Sequence, residues 1–362
     1  MRTRLKFRPA GPFRARYLPL LPVLATLLVA GSCQAPAEQQ GGVEEWRFAI
    51  EETIGSVQHE YALRFKELIE ERTEGQVKVT VYTYGTLGTS DQLTEQLQLG
   101  AVQFAMASPG HLGKLIPEVQ VFLLHFVLSD DERVNQQALR DPELIGLLDD
   151  LYATKGMALL SAFSEGWQVW TTRRPVREPA DFRGQRIRVM TSPLLLAAYR
   201  AYGASPTPLP YAEVYSALQL NMVDGQVNPV FAIQEMSFHE VTDWMIFAGQ
   251  APFIATAVAS RDFFDGLRPE RRQLVRETID ELDEFVFQAQ RDFNRERLEI
   301  IRSQRPDMEI LHLTDEERER FRQASLPVRD LYLRMGGPRA AEVLDRLLAA
   351  VARAEEQAES AS

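Results

Sequence analysis

Changes in the spacing of apolar residues mark the elements along the chain. Trp46 to Ile50 is a short apolar run that reads as a strand, broken at Gly55. From Tyr61 to Glu71, Ala62, Phe65 and Ile69 recur at spacings of three and four, which predicts an amphipathic helix. After the Thr73-Glu74-Gly75 turn, Val77, Val79 and Val81 alternate with Lys78, Thr80 and Tyr82, the period of a half-buried strand. A loop flanked by Gly85 and Gly88 leads into a helix through Leu93 and Leu97. The run at 102–107 is the next strand, ending at Ser108-Pro109-Gly110. This alternation predicts parallel βαβ units with right-handed connections, hence an α/β lobe.

A second α/β section opens near Gly156. Strands are expected at 157–163, 169–176 and 186–191, helices at 193–202 and 211–221, and further strands at 222–228 and 252–259. Residues 269–304 carry the longest periodic pattern. Val275, Ile279, Leu282, Val286, Ala289 and Phe293 form one apolar stripe, opened by Pro269 and closed before Pro306. A helix of that span is roughly 50 Å long, more than one lobe needs, so it is expected to brace two. Thr314 and Glu317 form a capping box ahead of a C-terminal helical region, and 353–362 is expected to fray.

The N-terminus follows another pattern. Arg2, Arg4, Lys6, Arg8, Arg14 and Arg16 precede a short apolar run, Tyr17–Ala30, then Gly31, Ser32 and Cys33. A basic segment, an apolar stretch too short to span a bilayer and small residues make an export signal. Cys33, the single cysteine, directly follows Ala30-Gly31-Ser32, as in bacterial lipoprotein signals, although Ala30 stands where Leu is usual. An ordinary signal peptide with an incidental Cys is the other reading. Residues 34–43 are small and polar, suited to a tether.

This segment changes the meaning of the charge. The whole chain has 362 residues and a net charge of −11; without residues 1–32, 34 basic against 51 acidic side chains leave −17. That sign disfavours a nucleic-acid surface. A lone Cys excludes an internal disulfide and a thiolate zinc cluster. His59, His111, His125, His239 and His312 show no metal-ligand spacing, and no GxSxG, GxxxxGK[ST] or GxGxxG motif occurs. No cofactor or metal is expected. A carboxylate-pair enzyme leaves no local signature and stays open.

The informative stretch is Asp181–Pro229. It contains GQRIRV with Arg188, then GASPTPLPYAEVYSALQ, then VDGQVNP with Asn228; upstream lies YGTLGTSDQLTEQLQLGAVQFAMASPG. In order and spacing these resemble the solute-binding proteins of tripartite ATP-independent periplasmic (TRAP) transporters, the DctP-like family, over most of residues 46–260. The resemblance implies a two-lobed α/β periplasmic-binding-protein fold of type II-like topology. It places a solute-carboxylate clamp on Arg188 and a second hydrogen bond on Asn228. A guanidinium suits that task through its planar fork. Without the motif, Arg188 would read as a surface ion pair and Asn228 as a turn residue.

Within the family, WRFAIEETIGSVQHE, SPGHLGKLIPEVQVF and RVMTSPLL look most like ectoine-binding members. That resemblance places the contact to the positive ring of ectoine on Glu52 and a packing aromatic on Phe253. It also shows departures: His111 replaces a Phe, Tyr211 a Trp and Ala232 a second Trp, giving a roomier, more polar wall. Phe231 and Gln168 join the candidate contacts. Gln168 stands where sialic-acid-type members carry a further Arg, which weakens the case for a second acidic head group.

The expected organisation is a signal peptide at 1–32 and a tether at 33–43. One lobe takes 44–165 with about 257–296; the other takes 166–256 with about 297–352. The expected activity is extracytoplasmic capture of a small carboxylate solute, zwitterionic, amino-acid-like or a simple acid. The solute passes to a TRAP permease, with no catalysis. The protein is expected to be a monomer in the periplasm or on the outer face of the cytoplasmic membrane, lipid-anchored through Cys33. A sensor handing its liganded form to a chemoreceptor or kinase, and an extracytoplasmic enzyme, are the alternatives.

Overall fold

The computed structural model describes residues 42–361. The expected export signal, Cys33 and nearly all of the expected tether lie outside the described residues. Among the described residues eleven strands form two sheets. The first holds β1 (Glu44–Ala49), β2 (Val77–Tyr82), β3 (Phe104–Met106), β4 (Met157–Trp167) and β10 (Pro252–Ser260) in the order β2-β1-β3-β10-β4. The second holds β5 (Val169–Thr172), β6 (Arg186–Val189), β7 (Ser205–Pro208), β8 (Gly225–Asn228), β9 (Trp244–Phe247) and β11 (Glu309–His312) in the order β11-β9-β5-β8-β6-β7. β1 is parallel to β2 and β3, as the βαβ pattern requires, whereas β10 runs antiparallel between β3 and β4. In the second sheet β5 is antiparallel to both of its neighbours.

The fold is the two-lobed α/β arrangement, one sheet per lobe. The chain leaves the first sheet at Gln168, between β4 and β5, and returns through 248–251, between β9 and β10. Both crossings differ by a few residues from the expected 165/166 and 256/257, because β4 and β10 pair as far as Trp167 and Pro252.

Local sequence explains the elements that carry the site. The first helix begins at Val57 rather than Tyr61, because the Ser56 hydroxyl accepts the His59 N–H and caps it. It buries Val57, Tyr61, Phe65 and Leu68 against the first sheet, where Tyr61 stacks on Phe163. The expected long helix spans Pro269–Gln304 and packs on the first helix, on β4 and on the helix Val230–Glu235 of the other lobe. Its apolar stripe ends sooner than expected. Val275 to Val286 are buried, but Ala289 and Phe293 are half-buried and Gln290 takes the buried position. At that level the helix crosses from one lobe to the other, where strand ends present backbone groups that need polar partners.

The C-terminal segment departs from expectation twice. Asp315–Ala361 is two helices across a break at Gly337 (φ 60°), and they pack on the helices Glu132–Leu139 and Pro142–Ala153 of the first lobe as well as Pro193–Ala201 of the second. It therefore braces both lobes instead of belonging to one. Helix also continues through 353–361, because Ala354 is buried, Ala358 packs on the core and Arg353 pairs with Asp141 at 2.6 Å. Among the described residues no helix is long and apolar enough to cross a membrane.

Candidate functional site

Between the lobes lies a narrow cavity of about 30 Å³. The first lobe supplies Glu51 and Glu52 from the turn after β1, Gln58, Ser108, His111 and Phe253; the second supplies Arg188, Met190, Tyr211 and Asn228. Six of the residues singled out in the sequence thus face one cavity: Arg188, Asn228, Glu52, Tyr211, Phe253 and His111. The lobes meet closely over it. A Cβ built on Gly110 would lie 2.5 Å from Met190 Cε, so any side chain there would displace the tip of Met190.

The two arginines of β6 diverge. Arg186 forms an exposed bidentate pair with Asp224 at 2.9 and 2.7 Å. Arg188 is 2% exposed, and its Nε and Nη2 both donate to the Leu209 carbonyl at 3.0 and 2.8 Å. No carboxylate pairs with it among the described residues. Burial pulls it down to about 10, opposed by Tyr211 and Tyr84, and it remains charged at neutral pH. On the adjacent strand β8, Asn228 donates to Gln226, whose amide in turn donates to Thr171 Oγ1 at 2.9 Å. This chain fixes the Asn228 side chain at the cavity wall.

The opposite wall is acidic. Glu51 Oε2 accepts the Ser108 N–H at 2.8 Å, while its Oε1 is buried with no donor. Burial raises the Glu51 carboxyl, against the opposing charge of His111. The Gln58 side chain accepts the Glu51 N–H at 2.8 Å and donates to Glu165 Oε1 at 3.0 Å. Glu165 lies on β4, fully buried, and its carboxyl faces that of Glu52. Burial drives both carboxyls upward, and the Glu165 charge adds to the rise at Glu52.

Tyr211 stands edge-on to Tyr84 and to Phe238, each with centroids 6.0 Å apart. His111 Nδ1 lies 3.7 Å from Asp91 Oδ1 and Lys114 Nζ donates to Asp91 Oδ2 at 2.9 Å; the two together, His111 first, hold Asp91 down at about 2.

Two sequence-based candidates lie elsewhere. Phe231 is 1% exposed within the core under the first sheet, and its N–H donates to Asn294 Oδ1 at 3.1 Å. Gln168 sits at the lobe crossing and lines a separate, wider groove with Gln290, Asn294 and Arg318. Ala232 is buried in the same core as Phe231. Helix phase explains Phe231: the helix after β8 turns it toward the long helix rather than the cleft. Sequence reading missed Glu51, Gln58, Glu165 and Glu235. Glu165 had a signal, a charged residue inside an otherwise apolar strand pattern at 157–167. Among the described residues no cluster of His, Cys, Asp and Glu could hold a metal.

Comparison with known proteins agrees with this fold. The family description "bacterial extracellular solute-binding protein, family 7" matches residues 48–334. The ectoine/5-hydroxyectoine-binding periplasmic protein UehA of Ruegeria pomeroyi is 38% identical over 311 residues, 85% of this chain and 91% of that one. The structure of the periplasmic ectoine-binding protein of the TeaABC TRAP transporter of Halomonas elongata superposes with a TM-score of 0.83 at 35% identity, over 86% of this chain and all (100%) of that one. A TRAP periplasmic solute-binding protein of Marinobacter aquaeolei, solved apo and open, gives 0.80 at 43% identity, over 84% of this chain and 99% of that one.

Proposed function

The chain belongs to the family 7 bacterial extracellular solute-binding proteins, and from that premise we propose that it captures a small zwitterionic solute of the ectoine class. Arg188 and Asn228 hold the carboxylate. Glu52 faces the positively charged part, while Tyr211 and Phe253 pack on the body of the solute. His111 and Tyr211 shape a more polar wall than an all-aromatic one.

The observation that carries this reading is the state of Arg188. A buried guanidinium without a carboxylate partner is costly, and a bound carboxylate supplies what is missing. The acids across the cavity point to a solute that also bears positive charge. Relatives named as ectoine-binding support the solute class.

The liganded, closed form is handed to TRAP permease subunits in the membrane, with no turnover. The protein acts as a periplasmic monomer, and lipidation of Cys33 anchors it to the membrane. Mass spectrometry of protein recovered from membranes tests the anchor; an unmodified Cys33 removes it.

A thermal-shift and calorimetric screen of the chain from Cys33 onward tests the solute, with ectoine, glycine betaine and succinate as probes. A solute at 100 times its Kd stabilises by about 2.7 kcal/mol. The expected order is ectoine first and succinate last. Tight succinate binding with no response to ectoine sinks the zwitterion reading.

A further inference from the structure

A second acid meets Glu52 from across the cleft. Glu235 ends the helix Val230–Glu235 of the second lobe, and its carboxyl faces the backbone N–H of Thr53 in the first. Its Oε1 is buried with no donor, as is Glu165 Oε2 behind Glu52. Burial, then the Glu52 charge, push Glu235 up to about 8. Three carboxyl groups, two from the first lobe and one from the second, therefore converge as the lobes meet.

Little positive charge answers them. Arg188 on β6 is turned to the Leu209 carbonyl. His111 on its short helix is turned to Asp91, and Glu51 after β1 adds a further acid. On the first helix His59 lies beside Glu60 and accepts the Gly55 N–H. Tyr211 and Tyr84 bring hydroxyls rather than charge. From the long helix, Arg297 acts on Glu235, with its guanidinium near Gly55 at the rim.

We propose that Glu235 makes closure of the cleft conditional on positive charge. The lobes close over a solute carrying a cationic group with several N–H donors, of the amidinium or guanidinium class, and refuse simple organic anions of the same size. The proposal deepens the zwitterion reading above and rests on it. Glu52 alone rewards a cation; Glu235 adds a penalty for solutes without one, because closing then brings like charges together in a dry site. Protons substitute for the solute's charge, so the empty protein closes as the pH falls.

The test uses the chain from Cys33 with Cys33→Ser, and a fluorophore pair at Leu99→Cys and Leu220→Cys, exposed positions on opposite lobes. Interlobe energy transfer is followed without solute from about pH 9 to about pH 5.5. It is then followed with ectoine or with succinate at about pH 8.5. Wild type is expected to close on acidification. Glu235→Gln, with Glu235→Ser as a second variant, is expected to move the closing midpoint by about one pH unit or more and to raise the closed fraction at the alkaline end at least about threefold. Succinate is expected to close these variants but not the wild type.

Coincident pH profiles for wild type and both variants overturn the proposal. So does a wild type that succinate closes as well as ectoine does. Arg188→Ala separates the two readings. If that variant still binds ectoine, the carboxylate clamp fails, while the solute-free profiles still decide the role of Glu235.

Discussion

Arg188 and Leu209 make a two-pronged contact in which one edge of the guanidinium, Nε and Nη2, closes on a single backbone carbonyl. Leu209 directly follows β7, the edge strand paired with β6, so the parallel register that puts Arg188 opposite Thr207 also brings the acceptor within reach. The contact sets the plane of the guanidinium and leaves its remaining N–H groups for the cavity. Orientation is thereby fixed before a solute arrives, which reduces the ordering cost of binding.

Arg188→Lys is therefore not a conservative change. An ammonium cannot hold the Leu209 carbonyl and form a fork with a carboxylate at once. Calorimetry with ectoine is expected to show affinity falling at least about tenfold for Lys, a difference of about 1.4 kcal/mol, and binding lost for Ala. Affinity unchanged in both variants removes the clamp.

Asn294 joins the lobes at their crossing. Its Nδ2 donates to the Glu165 carbonyl at 2.8 Å and its Oδ1 accepts the Phe231 N–H at 3.1 Å. Gly166, with φ at 111°, leaves room for this: a Cβ there would lie 2.3 Å from Asn294 Nδ2. Asn294→Ala strands two largely buried backbone groups and is expected to destabilise by about 1–3 kcal/mol. Chemical denaturation measures this. Stability equal to wild type means that water replaces the side chain.

The sequence revealed the parts of this molecule that obey a period or a motif, and the structure supplied those that depend on three-dimensional convergence. The first βαβ units and the long helix followed from apolar spacing. Arg188, Asn228 and Glu52 were singled out through motif resemblance, since spacing alone could not separate Arg188 from Arg186 two residues away. Burial separates them: Arg186 reaches Asp224 at the surface, and Arg188 does not. Glu52, Glu165 and Glu235 are far apart in sequence, and only the pairing of β4 with β10 and the meeting of the lobes bring them together. Phe231 lies off the cavity because its helix turns it, with Ala232, into the core.

Tyr211 offers a test of the altered aromatic wall. Its ring is held edge-on by Tyr84 and Phe238, so Tyr211→Trp enlarges the π-face without removing its supports. A larger face strengthens attraction to a cationic ring by about 0.5–1 kcal/mol. Titration with ectoine is expected to show a two- to fivefold gain in affinity, with about the same enthalpic sign. No change, alongside a strong response of the wild type to ectoine, means that the wall position does not tune cation binding.

The acid cluster also sets the pH dependence of stability. In the unfolded chain a glutamate ionises near its ordinary 4.5, whereas Glu235 in the folded, solute-free protein ionises at about 8. Between those values folding takes up a proton, so stability falls as the pH rises through that window. Glu52 and Glu165 shift in the same direction, through burial above all, and deepen the fall. His125 acts at the other end. Buried against Tyr202, it is pulled down to about 4, so folding releases its proton and stability falls as the pH drops below about 6.5. Thermal melts of the solute-free chain are expected to peak at mildly acidic pH. Glu235→Gln is expected to flatten the alkaline limb and leave the acidic limb alone. A saturating cationic zwitterion is expected to flatten it too, because the solute's positive charge offsets the carboxylates that protons otherwise neutralise. An alkaline limb equally steep in wild type, variant and complex would place the proton uptake elsewhere and detach Glu235 from the site.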